Sequence, residues 1–332
     1  VAGGEVLAEA TGRNALECRR VAWDLRPFSG CRARIRIVDR ETGGWGFIAA
    51  DHFVLTGDPN YKFPAPKRNG VVTGENLVAS PDVPGLTLPE GTRARIVATH
   101  EGQGITSPTA LAFDEDGALY VTETHRFRFG IEDDRDRLYW YLDDIASRTV
   151  EDRAKLLEKW EEKAPRDWMT AKSEVVRKLS GRDADGVYRE SKVFADGFND
   201  PLDGTLAGVF AFEDTVFLAN IPKIYALRDA DGNGVAEQRD VVEEGFGVRF
   251  SLSGHDMNGF ALGPDGRLYG TIGDRGFNIE TREGRMYEYP GEGAVFRFDP
   301  DGSNFEVIHT GLRNPKELAF DVHGNAISVD NN

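Results

Sequence analysis

One histidine, His255, leads into a strand–turn–strand segment that leaves through Gly273-Asp274-Arg275-Gly276. Phe260, Ala261 and Leu262 form the first apolar run, Pro264-Asp265-Gly266 supplies the turn, and Leu268, Tyr269 and Ile272 resume strand character. An imidazole at the entrance of one strand and an acid at the exit of the next fall on the same rim of a β-sheet. Rigid β-scaffolds present binding and catalytic groups at such rims. A neutral imidazole, with an ordinary pKa of about 6.5, suits general-base work near neutral pH. A rim histidine hydrogen-bonded to a neighbouring loop is the plainer alternative. Arg313-Asn314-Pro315 occupies the matching place in another such segment: His255 precedes Gly266 by 11 residues (266 − 255), and Arg313 precedes Gly324 by 11 (324 − 313). Matching places in neighbouring repeats project to one face, so these groups are expected on a common rim. A capped turn into a strand is the plainer reading of Arg313-Asn314-Pro315.

A separate constellation has the residue types of a calcium loop. Asp229, Asp231 and Asn233 stand at positions 1, 3 and 5, Gly234 at 6, the Val235 carbonyl at 7, Glu237 at 9 and Asp240 at 12. Alternating oxygen ligands face one point and the glycine allows the sharp turn. Position 12 is Asp where Glu gives the bidentate grip. An acidic Gly/Asn turn between strands has the same composition. The related run Asp183-Ala-Asp185-Gly-Val187 lacks the later ligands and reads as metal-free.

The elements that must position these groups recur. Phe113-Asp-Glu-Asp-Gly-Ala-Leu-Tyr120 has the pattern of Leu262-Gly-Pro-Asp-Gly-Arg-Leu-Tyr269, and Phe320-Asp-Val-His-Gly-Asn-Ala-Ile327 is a worn copy. A second unit, Leu227-Arg-Asp-Ala-Asp-Gly232, echoes Gly181-Arg-Asp-Ala-Asp-Gly186. Short strands repeating at blade-sized but uneven spacing indicate a β-propeller with insertions. The 38 glycines and 20 phenylalanines suit many turns and sheet contacts. A net charge of −16 argues against nucleic acid as a partner and is compatible with a small neutral substrate and with cation binding. No apolar run approaches the roughly 20 residues needed to span a bilayer. Cys18 and Cys31 lie close together outside any Cys-x-x-Cys pattern; they pair in an oxidising compartment or remain free thiols. Val1 at the start and the stop just after a strand read as cut ends of something longer.

Three regions follow. Residues 1–57 carry alternating strands, with Arg34-Ile35-Arg36-Ile37-Val38 the clearest. Residues 58–89 are rich in Pro, Gly and Asn and read as a linker. From 90 to 332 the propeller pattern runs, interrupted over 135–179 by a helical insertion. There Thr149 and Asp152 make a capping box, and Glu151 and Lys155 an i,i+4 pair. Trp140, Tyr141, Trp160 and Trp168 are expected to pack the insertion onto the propeller; a lid over a pocket is the sharper alternative.

The strings Ala10-Thr-Gly-Arg-Asn14, Val21-Ala-Trp-Asp-Leu-Arg-Pro-Phe28 and Thr42-Gly-Gly-Trp-Gly46 resemble the carboxy-terminal part of a galactose-binding-like β-sandwich, a jelly roll found in sugar-binding modules. Trp45 can stack on a sugar ring, although a structural role in a Gly-flanked turn suits it better. The propeller region resembles the soluble quinoprotein glucose/sorbosone (aldose sugar) dehydrogenases. Ser107-Pro-Thr-Ala-Leu-Ala-Phe113, His255 with Gly263-Pro-Asp-Gly-Arg-Leu-Tyr and Ile272-Gly-Asp-Arg-Gly276, and Arg313-Asn314-Pro315 with Leu318-Ala-Phe320 carry the likeness. It is nearest to a subgroup of long, exported, multidomain proteins described as membrane-bound dehydrogenase domains, which often bear a haem-binding domain. The implied fold is all-β: about four blades of a six-bladed propeller as an open arc, with a helical insertion, preceded by a fragment of a β-sandwich.

The resemblance implies oxidation of a sugar hemiacetal or alcohol with pyrroloquinoline quinone and Ca2+. In it His255 is the general base, Arg313 and Asn314 contact the quinone, and Asp256 or a carboxylate from another blade sets the imidazole tautomer. A small-molecule sugar is the substrate, a cytochrome c domain or other redox partner the electron acceptor, and the location periplasmic or extracellular. The quinone-bound calcium of that family has no match in this chain, and the Asp229 loop is not obviously that site. Two other readings stay open: a non-catalytic carbohydrate-associated scaffold, and a metal-dependent lactonase using Glu123, Asn258 and Asp330 on strand ends.

Overall fold

The computed structural model describes residues 6, 8–10, 21–29 and 77–331. The expected sandwich strands, Trp45 and the Cys18–Cys31 question lie outside the described residues. The chain divides into two compact units, 1–76 with 332, and 77–331. In the first, Arg26–Phe28 forms a 3-10 turn, and Asp24 pairs with Arg26 on the surface. The second opens with Leu77–Ala79 (β1) paired antiparallel to Thr87–Pro89 (β2), a hairpin inside the stretch whose composition reads as linker. The four-residue helix His100–Gln103 (α1) follows.

The rest is an arc of antiparallel sheets strung in chain order. Blade one is Pro108–Phe113 (β3), Leu119–Glu123 (β4), Glu174–Arg182 (β5) and Tyr188–Phe198 (β6). Blade two is Gly208–Phe212 (β7), Thr215–Asn220 (β8), Lys223–Arg228 (β9) and Gln238–Glu244 (β10). Blade three takes Met257–Leu262 (β11) and Leu268–Ile272 (β12), sends out a separate hairpin of Phe277–Glu280 (β13) and Met286–Tyr289 (β14), and closes with Gly293–Phe298 (β15) and Glu306–Leu312 (β16). Pro315–Phe320 (β17) and Ala326–Asp330 (β18) begin a fourth. The first strands lie side by side, β3 on β7, β7 on β11 and β11 on β17, as the inner strands of a propeller do. Among the described residues the arc is therefore three four-stranded blades and a two-stranded one.

The repeated turn explains the repeated sequence. Gly117, Gly266 and Gly324 sit at φ of 81°, 78° and 82°, and each donates its N–H to the turn's first residue, Asp114, Gly263 or Asp321. Only glycine takes that conformation without strain. Blade two turns instead on Glu213-Asp214, with Glu213 at φ 52°, so its inner hairpin lacks the motif.

Cores form between blades. Tyr120, Phe194, Phe198, Val209, Val216 and Leu218 fill the space between blades one and two. Between blades two and three, Phe217, Ile224, Met257, Phe296, Phe298 and Phe305 do the same. Phe296, Phe298 and Phe305 stack with ring centroids 5.3–6.5 Å apart.

The insertion joins β4 to β5. It holds a 3-10 turn at Asp134–Asp136 and helices Tyr141–Ala146 (α2), Val150–Lys159 (α3) and Arg166–Thr170 (α4). Glu174–Leu179, which composition assigned to the insertion, belongs to β5, because its partners on β4 and β6 complete the blade. Thr149 caps α3 by accepting from Asp152 N, and Asp152 reciprocates to Arg148 N. Lys155 pairs with Asp152 at 3.2 Å rather than with Glu151, since Asp152 is already fixed by its cap bonds. Trp140 is fully buried and stacks on Phe250 at 4.8 Å, which seats the insertion against the segment before β11. Arg126 adds a second anchor through the carbonyl oxygens of Met169, Asp200 and Asp203. Among the described residues no helix is long and apolar enough to cross a membrane.

Candidate functional site

In an antiparallel meander, the segment entering the first strand and the one leaving the second emerge at the same end. His255 enters β11, Gly273-Asp274 leaves β12, Arg313-Asn314 enter β17 and the blade-one insertion leaves β4. All therefore occupy one face of the arc.

His255 is 5% exposed, and its Nδ1 lies 2.8 Å from Asp274 Oδ1. The same oxygen accepts from Ser251 Oγ at 2.9 Å. Burial alone would push the Asp274 carboxyl up, but the hydrogen bond and charge of His255, the Ser251 hydroxyl and Arg313 hold it below the ordinary carboxylate range. Asp274 is thus an acceptor and Nδ1 carries the hydrogen, an arrangement that in the neutral imidazole puts the lone pair on Nε2. Gly273 permits this approach: a Cβ there would stand 2.5 Å from the His255 carbonyl oxygen.

Asp256 does not set the tautomer, which corrects the expectation for it. Its carboxylate turns inward to a fully buried ion pair with Arg275. The partner is Asp274, from the segment that leaves β12 in the same blade. The sequence placed that acid on the rim but gave it no role, because only the tertiary fold brings the exit of β12 against the entrance of β11.

Arg313 and Asn314 lie beside this pair. Asp274 N donates to Arg313 O at 2.6 Å, and Asp330 accepts from the backbone N–H of both Arg313 and Asn314 at 3.1 and 2.7 Å. The motif is a capped turn that leaves one guanidinium on the rim, with Nη1 on Asn331 O at 2.6 Å. Asn314 is buried and its Oδ1 has no partner among the described residues. Lys316, unremarked in the sequence, reaches back from β17 to Gly254 O and to Asn258 Oδ1 (3.1 Å); desolvation lowers its pKa. A second rim histidine, His125, bonds Thr106 Oγ1 at 2.8 Å and lines a cleft of about 550 Å³ with Phe127, Phe129 and Lys172.

Each lactonase candidate has partners in its own surroundings. Glu123 is buried against Arg177 (3.1 Å), Asn258 donates to Asp256 O and Pro315 O, and Asp330 caps the Arg313 turn.

The Asp229 loop lies between β9 and β10, within blade two. One oxygen each of Asp229, Asp231 and Glu237 falls within 4.8 Å of the others. Asn233 donates to Glu237 Oε1 at 2.7 Å and accepts from Val235 N at 2.8 Å. Asp229 Oδ2 accepts from Gly234 N, while its Oδ1 is buried and has no partner among the described residues. Val235 itself is 43% exposed. Asp240 departs from the expected ligand set: it lies on β10 and pairs across the ladder with Arg228 at 3.0 Å. In the related Asp183 loop the acid is spent on Asp185 N, Val187 N and Arg189.

The family model described as a domain of unknown function (DUF7133) matches residues 82–332. No curated protein matches the chain. Among solved structures, the PQQ-bound aldose sugar dehydrogenase of Streptomyces coelicolor is 17% identical, with TM-score 0.41, covering 68% of this chain and 57% of that one. The holo PQQ domain of pyranose dehydrogenase from Coprinopsis cinerea is 15% identical, with TM-score 0.41, covering 73% and 47%. A gluconolactonase from Xanthomonas campestris is 18% identical, with TM-score 0.39, covering 74% and 61%. The chain spans about half to three fifths of the length of these structures.

Proposed function

We propose, on the premise that the chain belongs to the DUF7133 family, that its propeller arc carries one side of a pyrroloquinoline-quinone-dependent sugar dehydrogenase site. The observation that carries this reading is the 2.8 Å bond between His255 Nδ1 and Asp274 Oδ1. It leaves Nε2 free to take a proton from a substrate hydroxyl, and the carboxylate then holds the imidazolium that forms. When bound, the quinone supplies the two-electron acceptor that sugar oxidation needs. Two features fit such a group: the Arg313 guanidinium on the rim, and the buried Asn314 amide whose Oδ1 lacks a partner among the described residues. The Arg313 guanidinium would hold its oxygen-rich edge, where a cation offsets developing negative charge, and Asn314 Oδ1, an acceptor, would take an N–H of the group. A redox partner such as a cytochrome c domain would take the electrons onward, in an exported protein. The Asp229 loop is a structural calcium site in the same reading, with Asp229, Asp231, Asn233 and Glu237 as ligands and Asp240 left out.

The test is reconstitution of the full protein with pyrroloquinoline quinone and calcium, followed by dye-linked oxidation of a panel of aldoses. Activity should appear, vanish in His255→Gln, and fall roughly 10²–10⁴-fold in Asp274→Asn, the range a positioned general base supplies. Quinone bound with no sugar oxidised would overturn the reading. Lactone hydrolysis would favour a lactonase, and glycan binding alone a non-catalytic scaffold.

A further inference from the structure

The helical insertion and the His255 loop meet through an unusual concentration of buried acid-to-backbone bonds. Asp144, 1% exposed on α2, accepts from Phe250 N at 2.7 Å with one oxygen and from Ser251 N at 3.1 Å with the other. Asp133 accepts from Ser253 N at 2.9 Å and Ser253 Oγ at 3.0 Å. Asp134 N donates to Ser251 O at 2.9 Å. Trp140 stacks on Phe250 from one side, and the Arg153 guanidinium lies 5.4 Å from the same ring. The segment so gripped has Ser251 at φ 47°, a conformation that costs a non-glycine residue of order 1 kcal/mol or more unless its surroundings enforce it. That conformation aims Ser251 Oγ at the Asp274 oxygen shared with His255 Nδ1. His255 N closes the turn on Leu252 O at 3.1 Å.

We infer that the insertion is a positioning element for the His255–Asp274 pair, with Asp144 and Asp133 as positioning residues that act through the Ser251 turn. The two acids sit on blade one and the imidazole on blade three, so the grip spans the arc on its functional face. Without it the 249–253 segment has no reason to keep a left-handed serine, and the hydroxyl that steadies Asp274 moves away. The imidazole then loses the fixed acceptor that keeps its hydrogen on Nδ1. The inference extends the reading of His255 as proton acceptor and rests on it, but its test does not use turnover.

The experiment is 15N NMR of the full protein labelled at histidine, whose six residues allow His255 to be assigned with a His255→Gln variant. Wild type should give the pattern of one neutral tautomer with hydrogen on Nδ1. Asp144→Asn puts an amide N–H against a backbone N–H, and Asp133→Ala removes the second grip. Each should convert the pattern to a mixture of tautomers. Leu179→Ala, which opens the separate blade-one core of Leu119, Val121 and Tyr188, serves as the control: it should lower the melting temperature and leave the pattern unchanged. Asp133→Ala alone decides the matter if Asp144→Asn does not fold. An unchanged Nδ1 pattern in Asp133→Ala, or equal loss of it in Leu179→Ala, overturns the inference. A tautomer shift in a protein that oxidises no sugar keeps the positioning role and removes the dehydrogenase reading.

Discussion

Replacing a buried acid with its amide should make this protein more stable, and more so at higher pH. Asp134 is 5% exposed and its carboxyl is pushed up to about 8, first by burial, then by the charge of Asp144 and the hydrogen bond to it. Trp140 Nε1 at 2.8 Å and the Arg275 charge oppose that shift without cancelling it. A carboxyl protonated in the folded protein but ionised in the unfolded chain costs stability as pH rises from the unfolded value, near 3.8, toward the folded one. At about 1.4 kcal/mol per pH unit, the cost at pH 7 reaches roughly 4 kcal/mol as an upper bound. Asp134→Asn keeps the bond from Trp140 through its amide oxygen and removes the charge that burial and Asp144 oppose. The variant should gain about 1–4 kcal/mol at pH 7, or 2–4 °C in melting temperature per kcal/mol for a unit of this size. Denaturant melts of both proteins at pH 5 and pH 8 measure the gap, which should widen with pH. A gap independent of pH, or an Asp134→Asn protein less stable than wild type at pH 8, refutes the reasoning.

Calcium should raise the melting temperature over that in chelator, by the equivalent of about 2.7 kcal/mol at a hundredfold excess over Kd. Asp229→Asn should abolish that difference and Asp240→Asn should not; identical wild-type melts with and without calcium would make the loop a plain acidic turn. Gly273→Ala drives a Cβ into the His255 carbonyl at 2.5 Å, where the contact is backbone and cannot swing aside. It should cost about 1–3 kcal/mol or more and disturb the His255 signal, and an unaltered melt would show that the approach is looser than described. As pH falls below about 3.8 the protein should lose the stabilisation that the lowered Asp274 pKa provides: that contribution is present above the unfolded value of 3.8 and disappears as pH falls through the folded one. Acid melts of wild type against Asp274→Asn check it, with parallel curves as the negative result.

The propeller is legible in the chain because its turns are local. Asp114–Gly117, Gly263–Gly266 and Asp321–Gly324 each need a glycine at positive φ, and three such turns between apolar runs give away three inner hairpins. The blade-two hairpin escaped because Glu213-Asp214 makes the same reversal without glycine. The β1–β2 hairpin escaped because three-residue strands carry too little alternation to stand out. The capping box at Thr149 was legible for the same local reason, whereas the partner of Lys155 depended on which neighbouring acid the cap had already fixed.

The site divides along the same line. Residue types and equal offsets within a repeat placed His255 and Arg313 on one rim, since both are consequences of strand direction and turn length. The acid that serves His255 was not determined that way. Asp256 is adjacent in sequence, yet its side chain falls on the opposite side of the strand entrance and is consumed by Arg275. Asp274 is 19 residues away and becomes the partner only when β11 and β12 pair and Gly273 lets their ends touch. Likewise Asp144 is 106 residues from Phe250, and only the packing of Trp140 on that ring brings them together. Periodicity and turn chemistry act over a few residues and are written in order along the chain; the choice among several available carboxylates is made by which of them packing leaves unpaired at the rim.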